Sequence, residues 1–321
     1  MKKTAWAVIV FTALLYVTSC SPNKTTEPNS PYPTPTVYVI PANFVAQWGQ
    51  YGSGDGEFYS PTGIAIDSGN VLYITDYNND RVQKMSSTGS FMLKWGVDGK
   101  ADGEFDHPLG IAVDGSGVYV NDNENYRIQH FDLNGVFIGK WGRFGSLPGE
   151  FGYIRGMMAD GAGKIYIADN FNYRIQVFDQ SGAVLGFWGD GGTNPGEFNH
   201  PDGVAVDGFG NVYVADSQNN RIQKFNAGGG FITQWGTKGV GDGQFRDPVS
   251  LDTDSTGNVY VVDCGNARIQ VFEPDGTFIK KFGSYGSMPG QFASPLGIAI
   301  DSADYIYVTD TQNNRIEKFS K

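Results

Sequence analysis

Histidine and cysteine are scarce in this sequence, with three and two residues among 321. Three imidazoles leave little material for a histidine-built metal site, and two cysteines cannot supply the multi-bridge framework of a small secreted scaffold. Basic side chains are outnumbered, 23 Lys and Arg against 34 Asp and Glu, for a formal charge of −11. No basic patch interrupts that balance, so no nucleic-acid partner is expected and the negative charge reads as solubility. Helical periodicity is missing outside the N-terminal leader. The one long apolar run, residues 4–16, is too short to span a bilayer comfortably.

Glycine, at 45 residues, and aromatic side chains, at 14%, recur instead in one repeated phrase. It runs aromatic-Gly, a Gly-rich loop, Gly-(Glu/Gln)-Phe, Pro-x-Gly, apolar-x-apolar-Asp, apolar-Tyr-apolar-x-Asp, then Asn-x-Arg-(Ile/Val)-Gln. The aromatic-Gly marks fall at Trp48, Trp95, Trp141, Trp188, Trp235 and Phe282, in steps of 47, 46, 47, 47 and 47 residues. So constant a period marks a repeat architecture. Side chains common to all copies serve the scaffold, and function lies where the copies differ.

Within residues 201–235, short period-two runs separated by Gly, Asn and Asp turns read as four antiparallel strands. Such a sheet cannot bury both faces alone. Packing six of them around an axis does so, which predicts an all-β, six-bladed propeller. The sixth copy ends at Lys321 after its third strand, while a stray fourth strand, Asn43 to Gly49, precedes the first copy. That N-terminal strand is expected to complete the last blade. The expected division is a leader at 1–19, a Pro-rich tether at 20–41 and the propeller at 42–321.

In the leader, Lys2 and Lys3 precede the apolar run, which ends in Val17-Thr18-Ser19-Cys20. That quartet resembles the bacterial lipobox and implies lipidation of Cys20, a palmitate-bearing anchor and a cell-envelope address. Ser21 rather than Asp after the cysteine points to the outer membrane if the organism has one. The tether is proline-rich and semi-rigid. With Cys20 acylated, no disulfide is expected at Cys264.

The recurring Pro-x-Gly-(Val/Ile)-Ala, (Val/Ile)-Tyr-Val-x-Asp and Asn-x-Arg-(Ile/Val)-Gln units resemble the NHL repeat family over residues 43–321. The resemblance implies a six-bladed propeller. It says little of activity, since relatives include interaction modules, RNA binders, sensor domains and a peptide-amidating lyase. That lyase places its zinc-binding histidine after the Pro of the inner strand. The matching positions here are Thr62, Leu109, Arg155, Asp202, Val249 and Leu296, and none is a histidine.

The Asp-x-x-Asn-x-Arg unit occurs in every copy and reads as structural, with the Arg close to the Asp. No nucleophile elbow or phosphate-binding loop is present, and no catalytic residue is assigned. Candidate ligand-binding residues are the non-consensus ones: Arg155, Asp202 and Asp252 on inner strands, and Tyr77, Tyr126, Phe171 and Tyr173 in turns of the first three copies. Aromatic turn residues on one face suggest a contact patch. No cofactor and no metal are expected, with His107 and His200 as the weaker alternative ligands. The reading is therefore a lipid-anchored, non-enzymatic module that binds a protein, peptide or glycan. The alternative is a metal-dependent lyase or hydrolase with its site at the channel mouth.

Overall fold

The structure, a computed structural model, describes residue 41 and residues 43–321. The leader, Cys20 and nearly all of the tether lie outside the described residues. Six four-stranded antiparallel sheets surround a central channel, as expected. In the first blade the order from the axis outward is β2 (Pro61–Ile66), β3 (Val71–Asp76), β4 (Arg81–Ser86) and β5 (Phe91–Trp95). The inner strands of the next five blades are Pro108–Asp114, Ile154–Ala159, Pro201–Val206, Pro248–Thr253 and Pro295–Ile300. The sixth blade is completed by β1 (Phe44–Trp48), antiparallel to Arg315–Phe319 with Trp48 opposite Ile316. Full closure leaves no propeller seam unpaired.

The repeated phrase is explained by contacts between blades. Tyr73, Tyr119, Tyr166, Tyr213, Tyr260 and Tyr307 are wholly or almost wholly buried, as are Phe58, Phe105, Phe151, Phe198, Phe245 and Phe292. Each such ring contributes roughly 1.5–3 kcal/mol of burial. The inner-strand glycine reflects crowding at the axis: a Cβ on Gly63 would lie 2.3 Å from the Leu109 carbonyl oxygen of the next blade. The glycine after each aromatic is fixed differently. Gly142 has φ +99°, and a Cβ there would sit 2.4 Å from the Phe151 ring.

The Asp-x-x-Asn-x-Arg unit is a buried clamp in all six blades. Arg81 Nε donates to Asp76 Oδ2 at 2.7 Å, and its terminal nitrogens donate to the carbonyls of Ser53, Gly54 and Glu57 in the preceding loop. The Asn79 amide bridges Asp76 and Gly52. The same bonds recur at Arg127, Arg174, Arg221, Arg268 and Arg315. Burial nevertheless holds the clamp carboxyls above the usual carboxylate range, as at Asp76 and Asp263.

One clamp differs. In five blades a glutamine extends it: Gln83 donates to the Glu57 carbonyl and to Asp76 while accepting from Gly56 N–H. The closing blade has Glu317 in that slot, fully buried between Asp310 and Arg315 on its own sheet and opposite Gln47 of β1. An ionised Glu317 accepts from Gly290 N–H but offers nothing to Asp310. Burial first, with the Asp310 charge adding to it, raises its pKa to about 8 from 4.5, against the pull of Arg315.

The native state therefore binds a proton here that the unfolded chain releases near pH 4.5. Stability from this group is complete below that pH and is lost as pH rises through about 8. Glu317→Gln is expected to raise the thermal midpoint at about pH 9 and to change it little at about pH 5. Thermal denaturation at both values checks this, and an equal shift at both contradicts it.

Candidate functional site at the channel mouth

The loops that enter the inner strands and the turns that follow the second strands open on the same face. Six equivalent second positions of the inner strands ring the mouth there: Thr62, Leu109, Arg155, Asp202, Val249 and Leu296 line a cavity of about 300 Å³. Two of them are charged, and they meet. Arg155 donates through an NH nitrogen to Asp202 Oδ2 at 3.0 Å, with both side chains mostly buried. Asn170 Nδ2 donates to Asp202 Oδ1 at 2.5 Å, and Asn170 Oδ1 lies 2.8 Å from His200 Nδ1. Burial raises the Asp202 carboxyl despite Arg155 and lowers the His200 imidazole. For Arg155, burial opposes the charge, but Asp202 and the phenols of Tyr153 and Tyr77 outweigh it.

Asp252 is not part of this group. It lies three residues further along its strand than the ring of second positions, roughly 10 Å deeper in the channel. Its two oxygens accept from Thr253 N–H and Ile300 N–H, both at 2.8 Å, tying the fifth blade to the sixth. Burial raises its carboxyl to about 7.

The aromatic turn residues are packed more than displayed. Tyr77 is buried with Leu109 and Tyr153, and its ring lies 4.6 Å from His107. Tyr126 meets Phe144 edge-on and Tyr173 meets His200 edge-on. Phe171 stacks on Tyr153 and is the one of the four classed as exposed, at 45%.

A second cluster adjoins them between the first two blades. Asp80 follows the short turn Tyr77–Asn79 in the left-handed conformation, and its carboxylate accepts from His107 N–H at 2.8 Å. Asp106 and His107 sit in the loop entering the second blade, with Asp106 Oδ1 2.8 Å from His107 Nδ1. One donor atom from each of Asp80, Asp106 and His107 lies within 4.8 Å of the others, and all three side chains are half-buried. Burial first, and the neighbouring charges of Asp98 and Asp106 after it, raise the Asp80 carboxyl. Glu124, raised by burial and by Asp106, adds a further acid beside them. Two carboxylates and one imidazole within ligand spacing form a donor set suited to a divalent transition ion, with coordination positions to spare.

Asp80 and Asp106 were not among the candidate ligands read from the sequence, which were His107 and His200. His107 and His200 do not come together as a ligand pair; His107 joins two acids, and His200 joins Asn170. Asp80 went unnoticed because it fills a slot that is structural elsewhere. Asn220 and Asn314, in the slot of Asp80, likewise accept backbone N–H groups from the next blade, at Asp247 and Ser60. The 27-residue spacing from Asp80 to His107 was the available signal.

Cys264 is buried at the start of the turn Cys264–Asn266.

The NHL repeat model matches residues 58–85 and 198–225, and a model described as a 6-bladed beta-propeller matches residues 244–320. The molecule is thus an NHL-repeat-containing six-bladed β-propeller. No curated protein matches the sequence. Among solved structures it resembles virginiamycin B lyase from Staphylococcus aureus with quinupristin, at 16% identity and TM-score 0.59, covering 86% of this chain and 88% of that one. A gluconolactonase from Xanthomonas campestris is 13% identical with TM-score 0.59, covering 88% and 99%. A Bacteroides thetaiotaomicron protein of unknown function is 20% identical with TM-score 0.62, covering 86% and 76%.

Likeness at these identities shows the fold. Together with the Asp80–Asp106–His107 donor set, it overturns the expectation of a non-enzymatic binding module. The neighbours with named activities are a lyase and a lactonase, and Asp80, Asp106 and His107 lie within ligand spacing of one another.

Proposed function

We propose that the chain is a metal-dependent enzyme of the lyase or hydrolase class, acting at the channel mouth. The observation that carries this reading is the convergence of Asp80, Asp106 and His107, next to Tyr77 and the Arg155–Asp202 pair. Asp80, Asp106 and His107 would hold the ion. A bound divalent metal supplies Lewis acidity toward a carbonyl oxygen or lowers the pKa of a coordinated water.

The protein's own groups do the rest. Tyr77 shields one side of His107 from water. Leu109 and Tyr153 pack Tyr77 in place. The backbone N–H of His107 fixes the Asp80 carboxylate, so the acid is oriented before any ligand arrives. Arg155 provides a fixed positive charge a short way toward the axis. The gluconolactonase likeness supports an activity on a lactone, and δ-gluconolactone is the simplest probe of it.

After EDTA treatment, titration calorimetry with Zn²⁺ and Mn²⁺ should show one site per chain, weakened by about tenfold or more in Asp106→Asn and in His107→Ala. Metal-loaded protein should then open δ-gluconolactone faster than the stripped protein. Binding unchanged in both variants contradicts the assignment.

We also propose that Cys20 carries the lipid anchor in the cell envelope, supported by the leader and the Val17-Thr18-Ser19-Cys20 quartet. The chain has two cysteines, so a lipid thioether on Cys20 excludes a bond from that sulfur to Cys264. Intact mass of detergent-extracted protein separates the two. A diacylglycerol adduct supports the anchor, and an unmodified Cys20 in a disulfide removes it.

A further inference from the structure

Arg155 is unusual beyond its place in the repeat. A guanidinium carries five N–H donors. Here the side chain is 15% exposed, and its one protein acceptor among the described residues is Asp202. Its remaining donors border two spaces at once: the central cavity of about 300 Å³, and a small pocket formed with Tyr153, Asn170, Phe171, His200 and Gln218. Tyr77 packs on Leu109, which lines the central cavity beside Arg155, and on Tyr153, which lines the small pocket with it; the Tyr77 hydroxyl donates to no protein acceptor among the described residues. A mostly buried cation with spare donors, facing a cavity with a phenolic donor close by, has the chemistry of an anion receptor.

Geometry narrows the anion. The free edge of a guanidinium, with one nitrogen already committed to Asp202, matches the two oxygens of one carboxylate. Asp202 cancels one unit of charge, and Glu124 and Asp106 act on Tyr77, so a multiply charged phosphate is disfavoured. The cavity volume lies at the lower end of small-molecule sites. Its lining is mostly aliphatic, with Thr62, Arg155, Asp202 and Ser250 as the polar side chains toward the mouth. A cavity of this volume admits a small organic acid and not a lipid.

We propose that Arg155 and Tyr77 form a binding subsite for the carboxylate of a small hydroxycarboxylic acid. This deepens the enzymatic reading, because opening a lactone yields a hydroxycarboxylate, but the subsite itself does not depend on a bound metal. Arg155 holds the carboxylate through its free N–H edge, Tyr77 donates a further hydrogen bond, and Asp202 with Asn170 holds the guanidinium in position.

The test uses gluconate as probe and sorbitol, its neutral counterpart of similar size, as control, by titration calorimetry in EDTA. Wild type should bind gluconate saturably and sorbitol at least tenfold more weakly. Arg155→Gln should weaken gluconate about tenfold or more. Tyr77→Phe, which keeps the packing with Leu109 and Tyr153, should weaken it severalfold at an unchanged melting temperature. Equal binding of sorbitol, no saturable binding of gluconate, or an unaffected Tyr77→Phe variant would overturn the subsite. Gluconate binding that appears only after Zn²⁺ is restored would overturn it too, while leaving the metal site standing.

Discussion

The buried aspartate–arginine clamp is the constraint from which the rest of this molecule follows. Each clamp joins the end of the second strand, the start of the third, and three carbonyls of the loop that feeds the blade. Breaking one such pair by removing a partner typically costs about 3–5 kcal/mol, because the other charge stays buried. The bonds do more than stabilise. They lay the entry loops flat across the mouth and fix where the next turn must stand. Asp80 can therefore reach His107 in the adjoining blade without local disorder. The functional chemistry sits on loops that the scaffold holds still.

Six-fold repetition also makes departures informative. A wholly symmetric ring would present identical small side chains around the channel. Here Arg155 and Asp202 replace them in consecutive blades, and inner strands converge so tightly that the same slot in adjacent blades is a contact. The pair lies 47 residues apart, one repeat. Its neighbours Tyr77, Tyr153, Phe171 and His200 extend the asymmetric arc over the first four blades. The remaining blades keep apolar residues, Val249 and Leu296, in that ring.

The architecture was legible in the sequence because it is written six times. The strand count, the N-terminal closing strand and the structural role of Asp-x-x-Asn-x-Arg all follow from period and pattern. The site was legible only in part. Arg155 and Asp202 stand out from consensus, but that they meet is seen only in the structure. Asp252 stands out equally but belongs to a deeper layer, which strand position could have revealed. Tyr77 was read as a surface aromatic, although it turns inward under His107. Asp80 was hidden because a carboxylate that accepts a backbone N–H looks structural whether or not it also has a free oxygen.

The account therefore turns on whether a metal sits between the first two blades. Crystals of the EDTA-stripped protein soaked with Mn²⁺, measured at the manganese absorption edge, address this directly. The account predicts one strong anomalous peak per chain, within about 2.0–2.3 Å of Asp80, Asp106 and His107 donor atoms. A peak elsewhere on the propeller, or none at saturating Mn²⁺, would contradict it.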